Sequence, residues 1–231
     1  MSASPQPRTE ILRHGKIDLA LHHLRPEPLV DGGHTLLLLH GLGESSPASV
    51  PPVVADWPGP IAALDFTGHG RSSVSHGGGY TAELLLADAD VALAGLTDDD
   101  PRRAVTVLGR GLGAYTALQL AGSRPLLVRG AVLADGPGLA GGPTGPTSQS
   151  YFSLATDGST PDPYALVELG RDLRPPDYAA SFVRLALAGS PLDEPIAVCA
   201  VIRPEWLVAV ANEHGVSNVS LPEALRGYVG G

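Results

Sequence analysis

The stretch at residues 105–118, VTVLGRGLGAYTAL, constrains the fold of this chain more than any other feature. It begins with a short run of β-branched and other apolar residues, a pattern that predicts a buried strand. A glycine-rich turn follows, and apolar residues then recur at helical spacing from Leu112 onward. The stretch therefore predicts a strand, a tight turn and a helix in immediate succession.

Three glycines shape this turn: Gly109 and Gly113 flank it, and Gly111 lies at its centre. The pattern resembles the nucleophile elbow of the α/β-hydrolase family, Gly-x-Ser-x-Gly, whose central serine is the nucleophile. The elbow holds its central residue in a strained conformation, which costs a non-glycine residue about 1–3 kcal/mol. Glycine adopts a positive φ without that cost. Gly111 therefore suits the turn, but it carries no nucleophilic atom.

Two further loops appear in the order that the α/β-hydrolase family shows. An apolar strand runs into His-Gly-Leu-Gly at 40–43, and this loop resembles the family's His-Gly-x loop, which carries part of the oxyanion hole. The loop at 65–72, DFTGHGRS, is similar to the family's Asp-x-x-Gly-His-Gly-x-Ser. The resemblance implies an oxyanion hole built from the backbone N–H groups of Leu42 and Leu112, with Gly41 as a loop glycine.

The resemblance also implies a catalytic acid after the seventh strand and a histidine after the eighth. The strand predicted at 196–202 is followed by Arg-Pro-Glu, and no histidine follows the last strand predicted at 216–221. The remaining candidates for an acid or base are His69, Asp135 after the sixth strand, and His214, which precedes the last strand. The expected serine, histidine and acid are therefore missing from the positions where the family carries them. The sequence thus predicts a pseudoenzyme without the Ser-His-Asp triad.

The resemblance covers nearly the whole chain and implies a single α/β-hydrolase domain over 1–231. Its sheet would be mostly parallel and eight-stranded, with helices on both faces and a small helical cap. We expect the cap within 137–192, where a glycine- and proline-rich loop over 136–147 precedes helices predicted at 163–173 and 176–188. An apolar pocket is expected between this cap and the glycine turn. Residues that could line it, or pack onto the domain instead, are Tyr164, Leu166, Tyr178, Phe182 and Leu185.

Composition and charge narrow the range of partners. The chain has 15 basic and 24 acidic residues and a formal net charge of −9, which argues against nucleic-acid or anionic-membrane binding. It has no apolar run of 18 residues and no leader pattern, so we expect a cytoplasmic protein. Lys16 is the only lysine, and Ala, Gly and Pro are abundant. This composition is typical of a GC-rich, bacterial genome.

Cysteine and histidine usage predicts neither a metal nor a cofactor. Cys199 is the only cysteine, which excludes an intramolecular disulfide and a cysteine-based metal cluster, and its apolar surroundings predict a buried structural thiol. No pair of histidines has a supporting carboxylate at metal-ligand spacing. We therefore expect no metal and no cofactor.

Three functions remain open. The first is a non-catalytic member that binds a small apolar molecule or a protein partner, with its oligomeric state undetermined. The second is an esterase-like hydrolase with weak or non-standard chemistry at the backbone oxyanion hole. The third is a dinucleotide-binding module, because Gly109-x-Gly111-x-x-Ala114 fits Gly-x-Gly-x-x-Gly/Ala and Asp135 lies 26 residues after Gly109. Such fingerprints usually lie in the first βαβ unit, whereas four predicted strands precede this one.

Overall fold

The computed structural model describes residues 7–141 and 159–229 and contains one eight-stranded sheet. The strands are, in chain order, β1 (Arg8–His14), β2 (Ile17–Arg25), β3 (Leu36–Leu39), β4 (Ile61–Leu64), β5 (Val105–Arg110), β6 (Val128–Ala134), β7 (Ile196–Val198) and β8 (Val216–Asn218). They lie in the order β1-β2-β4-β3-β5-β6-β7-β8. β2 pairs antiparallel with β1 and β4, and all other pairs are parallel. The predicted mostly parallel, eight-stranded sheet is therefore confirmed.

The helices predicted from Leu112 onward, at 163–173 and at 176–188 are all present, the last two within two residues of their predicted bounds. The helices of the structure are α1 (Ala82–Thr97), α2 (Leu112–Ser123), α3 (Pro163–Arg171), α4 (Pro176–Gly189), α5 (Glu205–Ala211) and α6 (Leu221–Val229). Proline stands at the first position of α3 and α4. A residue there makes no intrahelical hydrogen bond through its N–H, so proline, which has no N–H, is tolerated. The side chain of Asp162 accepts a hydrogen bond from the N–H of Tyr164 and so caps the start of α3.

The sheet is buried on both faces, as expected for parallel strands. In β3, Leu37 and Leu39 belong to a core formed with α1 to α5, whereas Leu36 and Leu38 belong to a second core formed with α6 and Trp57. Successive residues of a strand point to opposite faces, which explains this division. Helices therefore cover both faces, and the second face has far less helical cover.

The segment between β3 and β4 explains the thinner cover. The sequence predicts a short, irregular helix over 45–57, but the structure has only one 3-10 turn there, Pro52–Val54. Pro47, Pro51 and Pro52 interrupt this segment, and proline cannot donate the backbone hydrogen bond that continues a helix. A loop rather than a helix therefore crosses the second face near the carboxyl ends of β3 and β5.

The seventh and eighth strands are shorter than the predicted strands at 196–202 and 216–221. After β7, the N–H groups of Val201 and Ile202 donate to the carboxylate of Asp135 rather than to a neighbouring strand. This contact draws the chain toward the end of β6 and ends the ladder. The longer strands were a wrong prediction, because an apolar sequence does not reveal a side chain that captures backbone N–H groups.

The two helices of the expected cap differ in position. α4 packs against α2 and α5 within the first core, and Phe182 is buried there. α3 is attached to the loop before α1, since the carboxylate of Glu168 accepts the N–H groups of Gly79 and Tyr80. Residues 142–158 lie outside the described residues; they fall within the cap range 137–192, and 142–147 also belong to the predicted 136–147 loop. The cap bounds stay a prediction.

Candidate functional site

The turn between β5 and α2 has the geometry that the sequence predicts for an elbow. Gly111 lies between the two elements with φ +58° and ψ −120°, a conformation that residues with a side chain rarely adopt. A Cβ atom on Gly109 would lie closer than 3.0 Å to backbone atoms of Gly113, and one on Gly113 closer than 3.0 Å to those of Leu39. Close approach of the backbones therefore requires glycine at both flanking positions.

The two predicted oxyanion-hole donors converge on one atom of the protein itself. The carbonyl oxygen of Pro137 accepts the N–H of Leu42 at 3.0 Å and the N–H of Leu112 at 2.9 Å. A Cβ atom on Gly111 would also lie closer than 3.0 Å to this oxygen. The Pro137 carbonyl therefore occupies both the anion-binding position and the space where a nucleophile's side chain would begin.

Two buried side chains fix the segment that carries this carbonyl. Nη1 of Arg174 donates to the carbonyl oxygens of Gly138 and Leu139, and Nε1 of Trp206 donates to Leu139 at 2.8 Å. The Arg174 guanidinium lies 5.0 Å from the ring centroid of Tyr115. Burial lowers the pKa of Arg174 to about 10, so the guanidinium stays charged at neutral pH. The carbonyl groups of the two residues after Pro137, Gly138 and Leu139, are thus both fixed by hydrogen bonds.

His69 is buried and uses both ring nitrogens on backbone groups. Its Nε2 accepts the N–H of Gly43 at 3.2 Å, which makes Nδ1 the protonated nitrogen, and Nδ1 donates to the carbonyl of Thr67 at 3.1 Å. Burial lowers the pKa of His69. With its lone pair already engaged, the ring braces the loops at 40–43 and 65–72. A general base needs a lone pair within reach of the proton that it removes.

Of the other two candidates, Asp135 lies beside the elbow, since the N–H of Gly111 donates to the carbonyl of Ala134, whereas His214 does not. The Asp135 carboxylate accepts the N–H groups of Val201 and Ile202, at 2.8 and 3.0 Å. His214 is exposed and precedes β8, so it lies at the amino ends of the parallel strands, whereas the elbow lies at their carboxyl ends. The structure therefore brings Gly41, Leu42, Gly111 and Leu112 together in one place.

A cleft of about 550 Å³ opens beside the elbow at the carboxyl ends of β3, β5 and β6. Its walls are mainly apolar and come from the sheet, the 45–54 segment and α6, through residues that include Leu38, Val53, Val54, Leu108 and Leu221. This location differs from the expected one between the cap and Gly111. None of the five residues proposed as pocket lining borders this cleft; Phe182 is buried against the core, and Tyr164, Tyr178 and Leu185 are exposed.

The charged groups of the cleft are Arg110, Glu44 and Asp135. Arg110 and Glu44 form a bidentate ion pair with two N···O distances of 3.0 Å, and Glu44 also accepts the N–H of Gly41 at 2.9 Å. Cys199 lines the cleft as well and is half-buried rather than fully buried. Burial raises the pKa of its thiol to about 11, so the reactive thiolate is scarce at neutral pH.

The start of α2 does not offer the donors that a dinucleotide needs. A pyrophosphate in such a site binds the free N–H groups at the helix N-terminus. Here the N–H of Leu112 donates to Pro137, that of Gly113 to His40 at 3.1 Å, and that of Ala114 to Gly111 at 3.1 Å. The expected ribose ligand, Asp135, is occupied by the loop after β7. The geometry therefore disfavours the dinucleotide hypothesis.

Within residues 7–141 and 159–229, no group of three His, Cys, Asp or Glu side chains is placed to hold a metal ion. In the same part of the chain, no helix is both long and apolar enough to cross a membrane.

Sequence reasoning missed the residue that most changes the site. The sequence places Pro137 only in the predicted loop leading into the cap, and no motif indicates a role for Arg174. A Gly-Pro-Gly tripeptide indicates a turn, but nothing in its residue types tells which donors its carbonyl will meet. The pairing of Glu44 with Arg110 was equally hidden, because the two residues are 66 positions apart.

The family model described as "Serine aminopeptidase, S33" matches residues 33–153, just over half of the chain. None of the curated proteins compared with the sequence matches it.

Among solved structures, the thioesterase domain from the curacin biosynthetic pathway is similar over 96% of both chains, with a TM-score of 0.59 and 17% identity. An epoxide hydrolase from Vigna radiata is 17% identical, with a TM-score of 0.45, over 57% of this chain and 39% of its own. A probable hydrolytic enzyme from Pseudomonas aeruginosa PAO1 is 24% identical, with a TM-score of 0.43, over 58% of this chain and 41% of its own. The match thus spans about two fifths of the latter two proteins.

Proposed function

This chain belongs to the serine aminopeptidase S33 family of α/β-hydrolases, and we propose that it is a member without acyl-transfer chemistry. Its role would be to bind a small apolar molecule or a protein partner in the cytoplasm. The observation that carries the proposal is the carbonyl of Pro137, which accepts the N–H groups of Leu42 and Leu112. An oxyanion hole acts only when its donors reach the oxygen of the substrate. In this chain the donors are already satisfied.

The surroundings of Gly111 support the same proposal. A serine there would need its Cβ closer than 3.0 Å to backbone atoms of Gly136 and Pro137, so the turn lacks both the nucleophile and the space for it. The loop after β8, where the family resemblance implies a histidine, instead leads to Leu221, which lines the cleft. These features make catalysis by a covalent acyl-enzyme unfavourable on three counts: nucleophile, base and oxyanion stabilisation.

A second candidate is an esterase-like hydrolase with weak or non-standard chemistry. One observation favours it: the N–H groups of Leu42 and Leu112 point at a single oxygen, as they would around a substrate's oxyanion. If the segment carrying Pro137 moved away, both donors would be free. His69 and Asp135 would then be the side chains to test, and loss of turnover in His69→Ala or Asp135→Ala would support this alternative.

The deciding experiment measures initial rates on short- and medium-chain acyl esters for the wild type, repurified to constant specific activity. We expect no hydrolysis above the buffer rate and no covalent labelling by a fluorophosphonate probe, which reacts with activated serines. A matched variant, Val53→Trp, narrows the cleft without touching the elbow and controls for a contaminating esterase. Turnover that persists through purification and falls in Val53→Trp would refute the non-catalytic role.

A further inference from the structure

The cleft beside the elbow carries a charge pattern that selects among small apolar ligands. Its volume of about 550 Å³ lies within the range of roughly 300–1,000 Å³ typical of small-molecule sites. Apolar side chains line it from opposite sides: Leu38 and Leu108 from the sheet, and Val53 and Val54 from the crossing loop. Such walls suit the hydrocarbon body of a ligand, and the polar groups decide which head group it carries.

Two of the polar groups in the cleft are already paired within the protein. Arg110 is held in a bidentate ion pair with Glu44, so its positive charge is compensated and its donors are engaged. His40 donates from Nδ1 to the carbonyl of Gly41 at 2.8 Å and accepts the N–H of Phe66 on Nε2 at 3.2 Å. Burial and the nearby His69 lower the pKa of His40 to about 4, so it is neutral at neutral pH. No cation described in the lining of the cleft remains available for an anionic ligand.

Asp135 is different because its charge has no side-chain counter-ion in the described lining of the cleft. Its two oxygens each accept one backbone N–H, from Val201 and Ile202, at 2.8 and 3.0 Å. A carboxylate offers about four acceptor positions, so roughly two remain. The two backbone bonds also hold the carboxylate in a fixed position, which reduces the ordering cost of binding.

We propose that this cleft binds a small molecule with an apolar body and a protonated amine, with the ammonium group against the carboxylate of Asp135. The proposal rests on the binding role proposed above and specifies the ligand's chemistry. An ammonium donates up to three hydrogen bonds and pairs with the uncompensated carboxylate. A carboxylate head group would face Asp135, and the one arginine among the described residues that line the cleft, Arg110, is already paired with Glu44. The net charge of −9 also disfavours an anionic ligand.

The test uses three probes that share one tail and differ only in the head group: octylamine, octanol and octanoate. Isothermal titration calorimetry of the full chain at pH 7.5 gives their dissociation constants. We expect octylamine to bind at least tenfold more tightly than octanoate, with octanol between them. Octanoate binding as tightly as octylamine, or no binding of octylamine, would overturn the proposal.

Three variants assign the effect to the cleft. Asp135→Asn keeps a carbonyl oxygen that can accept one backbone N–H, and it should reduce octylamine affinity to that of octanol. Glu44→Gln removes the partner charge of Arg110 and should improve octanoate binding severalfold. Val53→Trp fills the cleft from a half-exposed position and should weaken all three probes. Unchanged octylamine affinity in both Asp135→Asn and Val53→Trp would place the binding elsewhere and contradict the proposal.

Cys199 supplies a readout at the site itself, because it is the only cysteine and lines the cleft. Octylamine should slow its modification by methyl methanethiosulfonate at pH 9, and octanoate should do so only at higher concentration. The two proposals fail separately. Ester turnover by the wild type would refute the non-catalytic role while leaving the amine preference intact, and a reversed head-group order would refute the amine preference alone.

Discussion

The elbow and the cleft lie side by side at the carboxyl end of β5, yet their environments are opposite. At the elbow, the N–H groups of Leu42 and Leu112 are satisfied by Pro137, and backbone atoms fill the space above Gly111. In the cleft, about 550 Å³ stays open between apolar walls. The space at the elbow, where a nucleophile would act, is filled, whereas the neighbouring cleft has room for a ligand. The non-catalytic member proposed above would thus have a closed elbow and still keep a cleft that can bind a ligand.

Substitutions at Gly111 should have the largest effect, because they place a Cβ atom where backbone atoms of Gly136 and Pro137 already lie. Gly111→Ala should lower the free energy of unfolding by roughly 2–6 kcal/mol, since backbone strain and overpacking each cost about 1–3 kcal/mol. Gly111→Ser should lose a similar amount and stay inactive on esters, because the added Cβ rather than the hydroxyl causes the damage. Urea denaturation followed by circular dichroism measures both variants.

Gly15 offers a matched control for this substitution. It has a similar positive φ, +61°, but a Cβ atom there would have no neighbour within 4 Å. Gly15→Ala should therefore show backbone strain alone, about 1–2 kcal/mol. If Gly111→Ala cost no more than Gly15→Ala, the space above the elbow would be free, and the contrast between elbow and cleft would fail.

The pH dependence of stability tests the buried histidine of the loop at 40–43, His40. The pKa of His40 is lowered to about 4 in the folded protein, against about 6.5 in an unfolded chain. As the pH falls below 6.5, the unfolded state takes up the proton first. The stability that neutral His40 supplies is therefore complete above pH 6.5 and is lost down to about pH 4, by at most about 1.4 kcal/mol per pH unit.

His40→Gln is the variant for this measurement, because an amide can still bond backbone groups and does not titrate. Its free energy of unfolding should fall less steeply than that of the wild type between pH 6.5 and 4. His34 with its lowered pKa and Asp88 with a raised pKa are present in both proteins and cancel in the comparison, whereas the nearby His69 interacts electrostatically with His40, so the difference in slope reports on these two histidines together. Equal slopes would show that His40 is not held neutral by its burial.

The sequence revealed the elbow and its loops because their signals are local. Gly109, Gly111 and Gly113 are required by backbone approaches within one short turn, and runs of apolar residues predict β3, β5, β7 and β8, the last two longer than the structure shows. The state of the site could not be predicted in this way. It depends on contacts between distant residues, such as Arg174 with Gly138, whose residue types carry no signal of the pairing.

Substituting the side chains that hold the Pro137 segment should change the free energy of unfolding least of all these variants. It also tests directly whether this segment can move away from the N–H groups of Leu42 and Leu112. Arg174→Leu removes donors to Gly138 and Leu139, and Trp206→Phe removes one donor to Leu139. A net hydrogen bond contributes about 1 kcal/mol, so amide exchange at Leu42 and Leu112 should accelerate about thirtyfold in Arg174→Leu, which loses two bonds, and about fivefold in Trp206→Phe, which loses one.

In Arg174→Leu the global free energy of unfolding should change less than the free energy of local opening at Leu42 and Leu112. This difference separates local movement of the Pro137 segment from destabilisation of the whole domain. Nε and Nη2 of Arg174 are buried without a hydrogen-bond partner among residues 7–141 and 159–229, so leucine removes a desolvation cost along with the lost bonds. Exchange at amides within β5 should accordingly stay near its wild-type rate. If the amides of Leu42 and Leu112 exchanged in the wild type as fast as exposed loop amides, the Pro137 carbonyl would not be holding these two N–H groups in stable hydrogen bonds. The esterase-like alternative would then have the free donors that it requires.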